Sequence, residues 1–501
     1  MQIETRVGKV ELAEDEVILL NYFAETKQLR GVFKTIDDKL DGAMSHLLKT
    51  GDFEGKHGQT AVLYPQGRLA CERIVLVGLG KKNELNKERL RYAYGFAGRR
   101  LRELKAKSVS IQAFEANHPA VKLQESSQAM VEGILLSNYH LGLYKTGDEN
   151  GRITLDKLNF LKETRKGIGE IIRGVETGEV SSWATNYVRD LTNQPGNYLT
   201  PTRLAGEASS LAKKNGFKCT ILSVPEIKKL KMNAFLSVAA GSKQPPKLIV
   251  LEYRHPQRKT NTLALVGKGI TFDAGGLSLK STENMLEMKG DMMGGAVVLA
   301  ALTACAKLKL PLHIFGIIPA TENLPSGSAL KVGDIVTSHS GKTIEVLNTD
   351  AEGRLILADG LSYAKSFHPD AIIDLATLTG SIKIALGTLC AGLFGNHPVL
   401  NKRMIQAGET SGERVWEMPI WDEYRDSLKS DLADIKNVGG RPAGSILAAK
   451  FLQTFVGDHP WIHLDIAGVD HRDKDDSYHT KGATGFGARL LLQFLRDWKR
   501  I

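Results

Sequence analysis

Thr343-Ile344-Glu345-Val346-Leu347 runs directly into Asn348-Thr349-Asp350-Ala351-Glu352-Gly353-Arg354, so an apolar, strand-like run ends in two carboxylates and a guanidinium within five positions. One reading is local: Asp350 caps a helix and Glu352 in its first turn meets the positive end of the macrodipole. The other is a ligand site, and a second polar cluster upstream favours it. Lys268-Gly269-Ile270-Thr271-Phe272-Asp273-Ala274-Gly275-Gly276, then Lys280, then Lys289-Gly290-Asp291-Met292 interrupt an otherwise apolar, glycine-rich region after the strand-like run Leu263–Val266. Asp374 and the Thr377-Leu378-Thr379-Gly380 loop are assigned to the end of a third run. Charge gathered past the C-terminal ends of buried strands is where open α/β sheets bind ligands.

Working outward, short apolar runs at Leu248–Tyr253, Leu263–Val266, His313–Ile318 and Ile372–Leu375 read as buried central strands separated by helical segments. Lys331–Thr337 and Thr343–Leu347 flank Ser340-Gly341-Lys342, which reads as a hairpin turn. Nearer the start, Glu16–Phe23, Ala61–Tyr64 and Arg73–Val77 read as strands, and Glu88–Lys105 and Ser126–Leu141 as helices. A helical pattern between Glu163 and Leu191 stops at Asn193-Gln194-Pro195-Gly196, where proline and glycine forbid continuation. The expected fold class is α/β in two domains: a smaller N-terminal α/β domain over residues 1–165, a connecting helix over 166–194, and a larger catalytic domain over 195–501. The larger domain is expected to hold a mixed central sheet flanked by helices.

Composition fits such a protein, at 501 residues with 42% hydrophobic and 24% charged side chains and 50 glycines for tight turns. Met1 to Arg6 is polar and is followed by acidic residues, and the apolar run Ala296–Ala306 is shorter than the ~18 residues that span a bilayer. A cytoplasmic protein without membrane partners is expected. Cys71, Cys219, Cys305 and Cys390 stand singly in apolar surroundings and read as reduced core thiols. The net charge of +10 is diffuse, and short basic groups such as Arg99-Arg100-Leu101-Arg102 read as solvated helix faces rather than phosphate clamps, so nucleic acid is not the expected partner.

Four carboxylates in one cleft, Asp273, Asp291, Asp350 and Glu352, would repel one another and take up protons unless cations balanced them. Two divalent ions are the simplest balance, and a shared water between them would supply both nucleophile and Lewis acid for hydrolysis. Histidine is absent from both clusters, so the oxygen-rich set leans to Mn²⁺ or Mg²⁺, or to Zn²⁺ held unusually. Of Lys268 and Lys280, one is suited to ligate a metal as a neutral amine and the other to remain an ammonium beside a developing oxyanion; spacing does not say which. Arg354 is suited to clamp a small anion or carboxylate.

Competing motifs are weaker. Gly267-Lys268-Gly269 and Gly78-Leu79-Gly80 lack the third glycine of a dinucleotide fingerprint, and no P-loop, His-Glu-x-x-His or Gly-x-Ser-x-Gly occurs. His463-Leu464-Asp465, within the apolar run from Trp461, reads as a satisfied core histidine rather than a triad fragment.

Asn348–Leu355 resembles the signature of the leucine (cytosol) aminopeptidase family. Lys268–Lys280, Met288–Asp291, Asp374–Gly380, Gly439-Gly440-Arg441 and Trp461–Gly468 resemble further family segments in order, so the resemblance covers residues 190–495. It implies a homohexameric two-metal exopeptidase that releases N-terminal residues, preferentially leucine, from peptide substrates. It assigns Lys268, Asp273, Asp291, Asp350 and Glu352 as metal ligands, with Asp273 and Glu352 touching both ions, which are Mn²⁺ or Zn²⁺ with Mg²⁺ also admitted. Lys280 and Arg354 become the catalytic pair, the first near the substrate carbonyl and the second holding bicarbonate. Met288, Asn348, Thr377, Leu378, Gly380 and Ala467 are the implied substrate-pocket residues. Ala274 and the Gly439–Ala443 stretch depart from the family pattern and leave side-chain preference open. The alternative functions are an architectural DNA-binding role, as some family members have, and a dipeptidase of the Cys-Gly type.

Overall fold

The computed structural model describes residues 1–26, 28–114, 121–146, 155–257 and 262–500. The chain divides into two compact units, residues 1–183 with 473–481 and residues 184–472 with 482 onward. The helix Ile168–Thr192 carries the chain from the first unit into the second.

In the first unit, strands β1 (Gln2–Val7), β2 (Val17–Phe23), β3 (Thr60–Leu63), β4 (Arg73–Gly80), β5 (Ser108–Gln112) and β6 (Lys157–Lys162) form one sheet in the order β1-β6-β5-β2-β4-β3. All pairs are parallel except the edge strand β3 on β4. Alternate residues of β2 face different cores: Val17 and Leu19 pack with the helices Lys87–Glu103 and Leu123–Ser137, while Ile18 and Leu20 pack with Ile36, Met44 and Phe53. Burial on both faces explains why these strands read as continuous apolar runs. The two helices approach closely because Gly133 lacks a side chain; a Cβ there would lie 2.7 Å from Cβ of Tyr94. Residues 473–481 belong to this unit through contacts such as Tyr478 Oη donating to Glu88 Oε1 at 2.6 Å, a long-range insertion that no periodicity announces.

In the second unit, strands β7 (Lys218–Leu222), β8 (Lys247–Arg254), β9 (Thr262–Gly267), β10 (Gly269–Asp273), β11 (His313–Asn323), β14 (Ala371–Ala376), β15 (Ala391–Gly395), β16 (Val415–Glu417) and β18 (Trp461–Asp465) make a mixed sheet. Its order is β16-β15-β18-β14-β9-β11-β8-β7, with β10 added to β11. The central strands β18, β14, β9 and β11 run parallel, and β15 and β8 pair antiparallel on either side. Gly316 of β11 faces Val298 and Leu302 of the helix Met293–Lys307, whereas its neighbour Ile317 packs with Leu355 and Ile356 of the helix Glu352–Ala364. Helices therefore cover both faces, as the α/β class requires. The helix Met293–Lys307 ends a stretch, Thr282–Lys307, apolar enough to cross a membrane by composition, but 89% of its most apolar window is buried within the fold.

Two sequence expectations are corrected here. Thr343–Leu347 is not a strand of the main sheet: only Thr343–Glu345 (β13) is extended, paired with β12 (Ile335–Thr337) and β17 (Ile435–Lys436) in a small separate sheet. The hairpin at Ser340-Gly341-Lys342 does form, with Gly341 at φ +86°. Asp374 does not follow β14 but lies inside it, fully buried. It accepts hydrogen bonds from Trp461 Nε1 at 2.6 Å and meets His463 Nδ1 at 2.6 Å, both on the adjacent strand β18, so it is a core partner rather than a cleft residue.

Candidate catalytic cleft

The ends of β9 and β10, the turn before the helix Met293–Lys307, the N-terminus of the helix Glu352–Ala364 and the loop after β14 converge on one cavity of about 540 Å³. Every residue given a metal, catalytic or pocket role from the sequence lines it: Lys268, Asp273, Lys280, Met288, Asp291, Asn348, Asp350, Glu352, Arg354, Thr377, Leu378, Gly380 and Ala467. The two polar clusters, some 80 residues apart in sequence, thus share one site.

Local chemistry explains how each arrives there. Lys268 leaves β9 pinned by its backbone, its N–H donating to Leu375 O at 3.1 Å and its carbonyl accepting from Gly295 N at 2.8 Å. Its side chain crosses the helix start at Gly353, where a Cβ would lie 2.6 Å from Lys268 Cε; only glycine leaves that path open. Asp273 ends β10, and its Oδ1 accepts from Gly275 N at 2.9 Å and Asn323 Nδ2 at 2.8 Å, leaving Oδ2 to face the cavity. Asn323 also donates to Thr349 O at 3.0 Å, and Thr349 Oγ1 donates to Gly275 O at 2.8 Å, so the turn carrying Asp350 is bolted to the turn after Asp273. Glu352 opens its helix, where the backbone's positive end favours a carboxylate.

The charges interlock. Lys268 Nζ lies 2.7 Å from Asp291 Oδ2 and 2.8 Å from Glu352 Oε1, and donates to Thr377 O at 3.1 Å. Lys280 Nζ lies 2.8 Å from Asp273 Oδ2 and pairs closely with Asp350. Burial opposes the charge of both lysines, but Asp291 and Glu352 around Lys268, and Asp273 and Glu352 around Lys280, outweigh it and raise both pKa values. The carboxyls of Asp273, Asp291 and Asp350 are all raised, chiefly by burial; Glu352 adds repulsion at the first two and Asp273 at the third. Two lysines do not satisfy this set. Asp291 Oδ2 and Asp350 Oδ1 have only a lysine ammonium beside them, Glu352 Oε2 is buried with no hydrogen-bond partner among the described residues, and oxygens of Asp273, Asp350 and Glu352 lie within 4.8 Å of one another. Converging carboxylate oxygens that outnumber their cationic partners are the donor set of a hard or borderline divalent cation.

Arg354 is buried with Nη1 donating to Asn437 O at 2.6 Å and Nε without a partner, and burial lowers its pKa. Asn437 is fully buried and also ties Leu347 N at 2.8 Å and Asn348 O at 2.7 Å, fixing the strand end against Arg354. The pocket loop is held from below by Asp465: Oδ1 accepts from Leu378 N at 3.1 Å and Ala467 N at 3.3 Å, and Oδ2 from Thr379 Oγ1 at 2.6 Å.

Asn323, Asn437 and Asp465 are positioning residues that sequence reasoning missed. The first two are isolated amides whose partners are distant in the chain, and Asp465 was read only with its neighbour His463. That histidine is a core residue as expected, held at Nδ1 by Asp374, although its Nε2 has no partner.

Comparison with known proteins agrees with this geometry. The family model "Cytosol aminopeptidase family, catalytic domain" matches residues 186–492, and "Cytosol aminopeptidase family, N-terminal domain" matches residues 18–148. A "Probable cytosol aminopeptidase" from Roseiflexus castenholzii is 45% identical over 467 residues, covering 92% of this chain and 94% of that one. One from Geotalea uraniireducens is 45% identical over 469 residues, covering 93% and 94%. Among solved structures, a mutant of tomato leucine aminopeptidase matches with a TM-score of 0.88 at 33% identity, covering 99% of this chain and 96% of that one. The bottromycin maturation enzyme BotP in complex with Mn matches with a TM-score of 0.84 at 32% identity, covering 96% and 99%. With both domain models matched in order and the relatives aligned over nearly their full lengths, the chain belongs to the cytosol aminopeptidase family, hydrolases that remove residues from the amino ends of peptides.

Proposed function

We propose that the chain is a metal-dependent aminopeptidase, biased towards leucine, in which Lys268, Asp273, Asp291, Asp350 and Glu352 hold two divalent ions and Lys280 and Arg354 serve the reaction. The observation that carries this is the convergence of four carboxylates, balanced by only two lysines, on one wall of a cavity large enough for a peptide end. Bound there, the ions supply Lewis-acid activation of water and of the scissile carbonyl. Mn²⁺ or Zn²⁺ fits a set of carboxylates plus one amine, and the manganese of BotP supports the former.

The chain's own residues divide the remaining work. Lys268, nearly enclosed and in contact with two of the carboxylates, is the amine placed to give up its proton and ligate. Lys280 is more open to the cavity and keeps its proton, so its ammonium can move from Asp273 and Asp350 to the carbonyl oxygen as negative charge develops there. Arg354, whose Nε has no partner among the described residues, would hold a small anion such as bicarbonate, which would supply a base beside the cavity. Met288, Thr377, Leu378, Gly380 and Ala467 line the same cavity and suit an apolar first side chain, with Asn348 beside the acids. Family membership supports a cytoplasmic homohexamer, and the exposed Leu279, Leu286, Ile384 and Leu389 supply apolar surface for assembly.

The test is hydrolysis of leucine p-nitroanilide after chelation and after reloading with Mn²⁺, Zn²⁺ or Mg²⁺, with elemental analysis of the active material. Activity returns with metal and tracks bound ion. Turnover that persists in metal-free protein, or its absence with every metal, overturns the reading.

A further inference from the structure

The cavity carries two acids that the metal-dependent reading does not use, and one of them has no cationic partner among the described residues. Asp470 lines it together with Met288, Thr377 and Ala467, and Glu287 borders the same space. Three constraints place Asp470 firmly. Its carbonyl accepts from Thr484 N at 2.9 Å, the neighbouring Val469 N donates to Ile466 O at 3.1 Å, and Gly468 packs where a Cβ would come 3.3 Å from Lys383 Cα. Among the described residues no side chain donates a hydrogen bond to its carboxylate, and no lysine, arginine or histidine lies within ion-pair distance. Burial, with Glu287 adding repulsion, pushes its carboxyl up to about 7 against a hydrogen bond from its own backbone N–H. Lys383 also lines the cavity and partly offsets this charge, but its side chain is exposed and stands off. Glu287, for its part, meets His471 Nε2 at 3.2 Å.

A purely apolar side-chain pocket gains nothing from a half-buried carboxylate without a cationic partner, since desolvating that acid beneath a leucine would cost free energy with little compensation. A long side chain with an apolar stem and a cationic tip reverses the balance: its methylenes lie along Met288 and Ala467 while the tip pairs with the acid. We propose that Asp470 is a specificity-determining residue that admits peptides beginning with lysine or arginine, in addition to those beginning with leucine. This rests on the aminopeptidase reading of the cavity and names a second substrate class for it.

Norleucine has the lysine stem without the ammonium, so the discriminating measurement is kcat/KM for lysine p-nitroanilide against norleucine p-nitroanilide, on the metal-loaded enzyme and on Asp470→Asn. The asparagine keeps the volume and removes the charge. The lysine-to-norleucine ratio is expected to fall at least tenfold in Asp470→Asn. A ratio unchanged by the substitution, or no detectable lysine turnover by the unmodified enzyme while norleucine is cleaved, overturns the assignment and leaves the aminopeptidase reading standing. Failure of the unmodified enzyme to cleave either anilide with any metal overturns the reading beneath it as well.

Discussion

Lys268 and Lys280 are chemically the same residue with opposite tasks in the proposed reaction, and what separates them is enclosure. Lys268 is 3% exposed and packed over Gly353, whereas the Lys280 side chain keeps 15% of its surface. An enclosed amine next to two carboxylates can exchange its proton for a metal ion without leaving its place, while a more open one can swing to a substrate. Spacing alone could not divide these roles, because the difference lies in Gly353, a residue eighty-five positions away in the chain, standing aside for one of them. Lys280→Ala is therefore expected to retain both ions by elemental analysis and to lose kcat by about 10²- to 10³-fold, the scale of losing one oxyanion donor. Loss of metal along with activity would show the two lysines misassigned. Gly353→Ala separates them from the other side: its methyl must displace Lys268, so metal content, measured on dialysed protein, falls while the fold survives.

Elements place these residues, and their legibility differs with the range of the contacts involved. Strands β9, β11 and β14 were readable because both faces are buried and the apolar runs are unbroken. The wrong assignments came where tertiary pairing overrides local pattern: Thr343–Leu347 has strand composition but pairs only in a three-stranded side sheet, and Asp374 is polar yet belongs to the core because Trp461 and His463 receive it. The helix Glu352–Ala364, which delivers Glu352 and Arg354, is anchored midway by Asp359, fully buried and accepting from His339 N at 2.6 Å and Phe235 N at 2.8 Å. Burial raises its carboxyl from 3.8 to about 7 against the pull of those donors. Between these values the folded protein holds a proton that the unfolded chain has released, so this group's contribution to stability falls as pH rises from about 4 to about 7 and is flat above. In Asp359→Asn that slope disappears, while one backbone donor loses its acceptor at a cost of about 1 to 3 kcal/mol. Denaturant unfolding of both proteins between pH 5 and 8 checks this; parallel pH dependences would show that Asp359 does not titrate there.

At the scale of the whole molecule, the catalytic unit is built around a charge arrangement that is incomplete without cations. Four acids meet two lysines and an arginine at the edge of a fully packed sheet, and among the described residues Glu352 Oε2 has no donor at all. Such a cluster costs folding free energy in the metal-free protein, because burying a carboxylate without full pairing costs several kcal/mol after relaxation. Ions that bind only the folded state return part of that cost. At a hundred times the dissociation constant one site contributes about 2.7 kcal/mol. For a unit of this size that corresponds to a rise of about 4 °C in Tm. Mn²⁺ is therefore expected to raise the melting temperature of chelated protein in a concentration-dependent way. Glu352→Gln tests the origin of the rise: it removes one charge of the cluster and weakens a carboxylate that, in the proposed reading, would hold the ions. The metal-free variant should melt no lower than the metal-free parent by more than the loss of the Lys268 pair allows, yet gain at most half of the parent's metal-induced rise and lose turnover by about a thousandfold or more. Calorimetry of the four states decides the matter. An equal metal-induced rise in parent and variant would mean the ions bind elsewhere, and the cluster would then be an ionic core rather than a metal centre.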